Sequence, residues 1–176
     1  MPNSTETCIG KSAIDYVCSC SNNYFYTDSE CSLIQECSSA GTPPCIDSNG
    51  LIWSNISSFT YANQSNARTF CDELSEGGYT DWRLPTIDEL RTLIQNCTAT
   101  QTGGTCGVTD ACTSIASCLN DDCGGCSGSN SYSKFGDTVK LWADTSGNGD
   151  GWFVDFSKGS IHYGSGKIYV RCLRSE

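Results

Sequence analysis

The hydrophobic positions between residues 67 and 94 repeat with the spacing of two short helices. In the first helix, apolar side chains recur at i, i+3, i+4 and i+7, which places Ala67, Phe70, Cys71 and Leu74 on one stripe. The Gly77-Gly78 pair then ends the helix. Cys71 is therefore predicted on the face that the folded domain buries.

The second predicted helix begins at Thr86. Thr86 and Glu89 have the spacing of a capping box, in which each side chain bonds the other residue's backbone N–H. The apolar stripe of this helix consists of Ile87, Leu90 and Ile94. The same periodicity places Arg91 and Gln95 on the side that faces water.

Short apolar or alternating runs predict strands in the rest of the chain. The predicted strands are 51–53, 139–143, 152–156, 160–163 and 167–173. In 152–156, Trp152, Val154 and Phe156 share one face, and Phe153 and Asp155 share the other. In 167–173, Cys172 shares a face with Ile168 and Val170, so Cys172 is also predicted to be buried.

The 14 cysteines compensate for a modest apolar content of 38%. An even count without a leftover thiol favours full pairing, and disulfides persist only in oxidising compartments. Six lie in residues 1–46 (Cys8, Cys18, Cys20, Cys31, Cys37, Cys45), and six lie in the insert 97–133 (Cys97, Cys106, Cys112, Cys118, Cys123, Cys126). Each group is predicted to form about three internal bridges, in pairings that the sequence leaves open. The two remaining cysteines, Cys71 and Cys172, are then predicted to bond to each other.

The distribution of cysteines also predicts two parts of the chain. Residues 1–46 are expected to form a small, loop-rich, Cys-rich N-terminal module, because they have almost no aliphatic periodicity. Residues 47–176 are expected to form the main domain, interrupted by the insert 97–133. Pro43-Pro44 is predicted to make a stiff joint between the two parts.

The formal net charge of −10 argues against a nucleic-acid partner, because phosphates require Lys and Arg. Residues 1–133 carry −11 and residues 134–176 carry +1, so the C-terminal quarter is the least repulsive part for an anionic ligand. No apolar stretch is long enough to span a membrane, and the residues after Met1 are polar. We expect no membrane insertion, and we interpret the chain as an excised fragment of a longer exported protein.

Several motifs, in this order, resemble a known bacterial family. They are Gly50-Leu-Ile-Trp53, Phe70-Cys71, Gly77-Gly-Tyr-Thr-Asp-Trp-Arg-Leu-Pro-Thr86 with Glu89-Leu90, Trp152-Phe-Val-Asp-Phe-Ser157 and Tyr169-Val-Arg-Cys-Leu-Arg174. Together they resemble the Lcl C-terminal-like domain, named for a Legionella collagen-like surface adhesin and similar to the Fibrobacter major paralogous domain. The resemblance covers about residues 47–174, and the Gly77–Thr86 stretch is its most specific part.

The resemblance implies an α+β fold of the C-type-lectin-like kind, with two helices and short antiparallel sheets. That fold characteristically joins its first helix to its last strand by a disulfide, which agrees with the pairing of Cys71 and Cys172. Family members are typically modules of exported proteins, some on trimeric stalks, and the Legionella protein binds sulfated polysaccharides. The net charge of −10 argues against a sulfated ligand for this chain.

Catalysis has little support in the sequence, so we expect a protein that is not an enzyme. His162 is the only histidine, and no nucleophile motif lies near it. Cys123 and Cys126 have the spacing of a thioredoxin motif, but structural disulfides are favoured because four other cysteines surround them. Trp82 is expected in the core, and Arg83 is expected to pair with a carboxylate such as Asp81 or Asp155.

The segment 144–151 superficially resembles a calcium loop, but no bidentate Glu follows it. A Gly/Asn turn between two strands is the favoured interpretation, and we expect neither a metal nor a cofactor. Residues of the kinds that bind sugars are grouped around the turns in the last third of the chain. Aromatic rings stack on sugars, and polar groups bind their hydroxyls. The candidates are Asp144, Asn148, Asp150, Trp152, His162, Tyr163, Lys167 and Tyr169. Trp142 and Trp152 could equally belong to the core.

The leading hypothesis is a bacterial extracellular or cell-surface recognition module, an adhesin or fibre tip that binds a glycan or another surface ligand. The alternative is a structural or protein-interaction module of a larger exported protein. A homotrimer through a stalk would suit either function, because a fibre brings three tips together.

Overall fold

The computed structural model describes residues 7–10, 16–19, 24–27, 30–37, 44–128, 131–144 and 150–175. Within these residues, three short helices and small, mostly antiparallel sheets confirm the α+β prediction. The helices are α1 (Gln64–Asp72), α2 (Ile87–Thr92) and α3 (Ile115–Cys118), followed by a 3-10 turn (Asp121–Gly124). The strands are β1 (Thr7–Gly10), β2 (Tyr16–Ser19), β3 (Tyr24–Thr27), β4 (Glu30–Leu33), β5 (Gln35–Glu36), β6 (Cys45–Ile46), β7 (Leu51–Ile56), β8 (Lys140–Trp142), β9 (Gly151–Asp155), β10 (Ser160–Gly164) and β11 (Arg171–Ser175).

The N-terminal part contains two antiparallel hairpins, β1–β2 and β3–β4, where the sequence predicted loops. Tyr, Phe and Val, which favour strands, are frequent in these short segments, and aliphatic periodicity is a weak guide to strands of four residues. Of the six N-terminal cysteines, Cys37 and Cys45 are bonded to each other. The pairing of the other four lies outside what the structure describes.

The larger sheet has the order β11-β7-β6-β5, with β5 and β6 parallel and the other pairs antiparallel. It therefore includes two short strands on the N-terminal side of residue 47. Ile34, just before β5, is buried in the same core cluster as Ile52 of β7. The division into 1–46 and 47–176 stays a prediction, but its first part contributes these strands to the main sheet.

The smaller sheet has the order β10-β9-β8 and is antiparallel throughout. Tyr169, which lies just before β11, hydrogen-bonds to β8 of this sheet. Its backbone N–H donates to the Lys140 carbonyl, and its carbonyl accepts from the Trp142 backbone N–H. On β9, Trp152 and Val154 pack into one core cluster and Phe153 into the other. The predicted two-faced alternation of this strand is thereby confirmed, with both faces buried.

Helix α1 begins three residues earlier than its apolar stripe indicated, because the Asn63 side chain caps it by accepting from the Asn66 N–H. Ala67 and Cys71 are buried on its inner face. The predicted Cys71–Cys172 disulfide is present, with the Cα atoms 5.6 Å apart and a sequence separation of 101. It ties α1 to the last strand.

Helix α2 has the predicted capping box: the Thr86 side chain accepts from the Glu89 N–H, and the Glu89 carboxylate accepts from the Thr86 N–H. Its apolar stripe is buried, together with Leu93, in the larger core cluster. Acidic residues in the first turn also match the positive end of the helix dipole.

The insert forms the three internal bridges that the cysteine count predicted. They are Cys97–Cys126, Cys106–Cys123 and Cys112–Cys118. Cys123 and Cys126 bond to different partners, so the thioredoxin-like spacing is structural, as favoured. Since Cys97, Cys106, Cys123 and Val108 are buried in the larger core cluster, the insert is part of the domain core.

Arg91 was predicted to face water, and that prediction is wrong. The side chain is 4% exposed and donates to the backbone carbonyls of Thr100, Gln101 and Val108. Burial lowers the pKa of the guanidinium against an opposing effect of Asp88. The helix periodicity fails at this position because the insert folds back over α2 and turns an outer face into an inner one.

Candidate functional site

The anchoring of the segment between β8 and β9 depends on two side chains of α1. Gln64 is fully buried and its amide donates to the Ala143 carbonyl at 2.6 Å. Arg68 donates to the Asp144 carboxylate at 2.5 Å and to the Gln64 amide oxygen at 2.8 Å. A Cβ added at Gly151 would lie 2.6 Å from the Gln64 amide nitrogen, so a side chain at this position would displace the buried Gln64 amide. Both ends of the segment 144–151 are therefore fixed against α1.

The predicted ligand residues at this end of the smaller sheet have different environments. Asp144 is half-buried in its ion pair with Arg68, whereas Asp150 and Lys167 are exposed. Lys167 follows the Gly164–Gly166 turn, whose Gly166 N–H donates to Ala62. Asn148 lies outside the described residues.

The aromatic candidates belong mainly to the core. Trp152 is 3% exposed and packs edge-on against Tyr163, with ring centroids 5.1 Å apart. Trp142 is fully buried and its indole N–H donates to the Tyr61 carbonyl. Tyr163 and Tyr169 are half-buried against the same core. Because Trp142 and Trp152 are buried, they belong to the core and not to a surface on which a sugar could stack.

His162 lies on the opposite face of β10 from Tyr163. Its ring stacks on Phe153 with centroids 5.4 Å apart, and its Nε2 lies 2.7 Å from the Ser160 hydroxyl. Burial lowers the pKa of His162; the Asp155 charge opposes this, and the positive charges of Lys140 and Lys158 add to it. The ring therefore favours its neutral form near pH 7.

The Ser160–His162 contact has the distance of a catalytic pair but not its accessibility. Ser160 is fully buried, so a substrate carbonyl cannot approach its oxygen. The Asp155 carboxylate is also engaged elsewhere, since it accepts from the Ser157 N–H and hydroxyl at 3.0 and 2.5 Å. The contact therefore fits a structural role, in which Ser160 orients the imidazole.

Within the described part of the chain, no group of three or more His, Cys, Asp or Glu side chains is placed to hold a metal ion. Nor does any helix there have the length and apolar character needed to cross a bilayer. Asp144, the first carboxylate of the calcium-like segment, is neutralised by Arg68. The next five residues of that segment, 145–149, lie outside the described part.

Arg83 and Trp82 stabilise the joint before α2. Trp82 is buried, as predicted, and its indole N–H donates to the Tyr79 carbonyl. Arg83, however, pairs with Glu89 rather than with Asp81 or Asp155. Asp81 is instead bound by Arg174, whose guanidinium also lies 3.9 Å from the Tyr79 ring centroid. The predicted pairing with a carboxylate is confirmed, but the partner differs because Glu89 is only one helical turn beyond the joint, within reach of a long side chain.

A polar groove that none of these candidates lines lies beside the C-terminal end of α2. It is a cavity of about 380 Å³ between the β6–β7 turn, the end of α2 and the segment after the insert. Residues that line it include Glu36, Asp47, Asn49, Thr92, Lys134 and Phe135. A second depression of about 470 Å³ shares Asn49, Thr92 and Lys134 with it and continues along Gln95 and Asn96. We call the two together the polar groove.

Sequence patterns did not indicate the polar groove, because its walls come from four separate segments. The Asn49-Gly50 turn was recognised only as a turn. Its geometry depends on Asp47, whose carboxylate accepts from the Asn49 and Leu51 N–H groups and from the Trp53 indole. No periodicity or motif links this turn to Lys134.

The comparisons with known proteins agree with the motifs. The sequence model of the Lcl C-terminal domain matches residues 47–174, which is more than half of the chain. The chain belongs to this family. A search of the curated proteins gives no match.

Membership of the Lcl C-terminal domain family indicates an extracellular bacterial domain. The five disulfides among the described residues are consistent with that location, because such bonds persist in oxidising compartments. In this member of the Lcl C-terminal domain family, the cross-linked insert is built into the core.

Proposed function

We propose that this domain is a recognition module at the bacterial surface, an adhesin or fibre tip that binds a glycan or another surface ligand. The supporting observation is that the insert is held rigid by three disulfides and by the Arg91 contacts. Loops fixed in this way form a preorganised surface, which reduces the conformational entropy lost on binding.

The proposal is tested by binding of the purified domain to an array of bacterial and host polysaccharides. Neutral, carboxylated and sulfated glycans are all included, and each hit is repeated in solution by calorimetry. We expect saturable binding to at least one glycan class. Absence of binding across the array contradicts a glycan-binding function.

A second candidate function is protein interaction, and exposed apolar side chains on the insert favour it. Ile115 and Leu119, one helical turn apart at α3, are 41% and 39% exposed. Phe59 is 75% exposed on the segment before α1. Exposed apolar side chains that form a contiguous patch are typical of protein contacts, and Ile115 and Leu119 are close enough to do so. Light scattering on the wild type and the Ile115→Ser/Leu119→Ser double variant tests self-association through this surface. A wild-type trimer that dissociates in the variant supports it, and an equal mass for the two proteins contradicts it.

A further inference from the structure

We propose that the polar groove is the ligand site and that it binds an uncharged, hydroxyl-rich oligosaccharide. This inference rests on the proposed recognition function and specifies its site and ligand class. It also moves the site away from Asp150 and Lys167 to the C-terminal end of α2.

Size and continuity are the first argument. The two depressions of about 380 and 470 Å³ share Asn49, Thr92 and Lys134, so they lie side by side and can hold adjacent parts of one ligand. Each volume falls within the range of clefts that hold small ligands. Two adjacent depressions of this size have room for more than one sugar unit.

Fixed hydrogen-bond acceptors along the groove are the second argument. The Gln95 and Asn96 amide nitrogens donate to the Ser133 and Ser131 carbonyls, at 2.9 and 3.0 Å. These contacts hold the two amide planes and leave their oxygens without a partner among the described residues. The Thr92 hydroxyl, which donates to the Glu89 carbonyl at 2.6 Å, keeps its lone pairs available as well.

Donors at the shared centre of the groove are the third argument. The ammonium group of Lys134 is exposed and has no ion-pair or hydrogen-bond partner among the described residues. The same holds for the side-chain amide of Asn49, whose backbone is fixed by Asp47. Sugar hydroxyls both donate and accept, so they require a site with both kinds of group.

An aromatic ring provides the apolar contact. Phe135 is half-buried in the groove wall, and its ring packs edge-on against Trp53 with centroids 5.9 Å apart. The Arg171 guanidinium lies 5.3 Å from the same centroid and is held by Asp137. The ring is therefore fixed from two sides before any ligand arrives.

The charges of the groove oppose a sulfated ligand. Its two cationic side chains are Lys134 and Arg91, and the Arg91 guanidinium is already bound by three backbone carbonyls. Glu36 adds an exposed negative charge at the rim. Sulfate groups are bound by several Arg and Lys side chains together, which this groove lacks.

The test compares two exposed lysines, of which Lys134 lines the polar groove and Lys167 does not, in the variants Lys134→Met and Lys167→Met. Neutral hexasaccharides of β-glucose, β-N-acetylglucosamine and α-glucose, and a heparin hexasaccharide, are titrated into each variant and the wild type. We expect a neutral hexasaccharide to bind, with its Kd raised about tenfold by Lys134→Met and unchanged by Lys167→Met. Asn49→Ala, which removes no described side-chain contact, should act like Lys134→Met.

The outcomes separate the site from the function. If a neutral hexasaccharide binds but only Lys167→Met weakens it, the groove assignment is overturned and the recognition function survives. Binding of heparin alone overturns the uncharged ligand class. If no oligosaccharide binds the folded wild type, both the groove assignment and glycan recognition are overturned.

Discussion

The Glu89 carboxylate is held by the Arg83 guanidinium through two contacts of 2.6 and 2.7 Å. The same carboxylate accepts from the Thr86 N–H at 2.8 Å, so one side chain completes the capping box and fixes the joint before α2. Burial raises the pKa of Glu89, but the hydrogen bonds from Arg83 and Thr86 outweigh it, and the net pKa is lowered.

Glu89→Gln should therefore destabilise the domain at neutral pH, by about 1 kcal/mol, because the pair is partly exposed to solvent. A carboxyl group with a lowered folded pKa stabilises above its ordinary pKa, and this contribution disappears as the pH falls through the folded value. The wild type and Glu89→Gln should thus converge in acid. Denaturant unfolding at neutral and acidic pH measures both effects. An equal difference at both pH values would contradict the assigned role of the charge.

The capping box was predictable because it is local: both of its residues, Thr86 and Glu89, are identified by their spacing of three residues. The Cys71–Cys172 bridge, although it spans 101 residues, was predictable because each cysteine lies on an apolar face and no other cysteines remained. Arg91 could not be placed in this way. The apolar stripe of a helix predicts which face of that helix packs on the core. It carries no information about an insert that packs on the opposite face.

The candidate site illustrates the same limit. Sequence proximity gathered Trp152, His162 and Tyr163, but adjacent strand residues point to opposite faces, and Trp152 is in the core. The polar groove joins Asn49, Thr92 and Lys134, which only the folded chain brings together. A surface site built from separate loops depends on tertiary contacts that no local pattern encodes.

Arg91→Met should destabilise the domain by roughly 2–4 kcal/mol. It preserves much of the buried volume but leaves the Thr100, Gln101 and Val108 carbonyls without their donor. Hydrogen exchange should also rise at the Thr100 and Cys106 amides, which lie in turns of the insert. Denaturant unfolding and exchange mass spectrometry provide the measurements.

Two comparison variants make this prediction specific. Arg91→Lys retains one charge and part of the hydrogen bonding, so it should be intermediate. Lys158→Met changes an exposed cation to the same residue and should be close to wild type. If Arg91→Met unfolds at the wild-type denaturant midpoint, the insert is held by its disulfides alone.

Removing the Cys71–Cys172 bridge with a double Ala substitution should cost about 4–5 kcal/mol, from the loop-closure entropy of a crosslink over 101 residues. The matched control is the double Ala variant at Cys112 and Cys118, which are 6 residues apart and should cost about half as much. Denaturant unfolding of both variants gives the comparison. Equal losses would show that loop length does not determine the contribution of these bridges.

His162 predicts a loss of stability in mild acid. Burial is the main cause of its lowered pKa, with Lys140 and Lys158 adding to the effect and Asp155 opposing it, so the unfolded chain binds a proton more readily than the folded one. Stability must then decrease as the pH falls below the ordinary pKa of 6.5, and the folded domain resists protonation until lower pH.

His162→Gln can keep a hydrogen bond to Ser160 but cannot titrate. The measurement is unfolding free energy from about pH 7.5 to about pH 5, which brackets histidine titration. The wild type should lose more stability than His162→Gln over this range. Since every carboxylate is common to both proteins, their difference isolates the imidazole, and parallel curves would show that the folded domain protonates His162 as readily as the unfolded chain does.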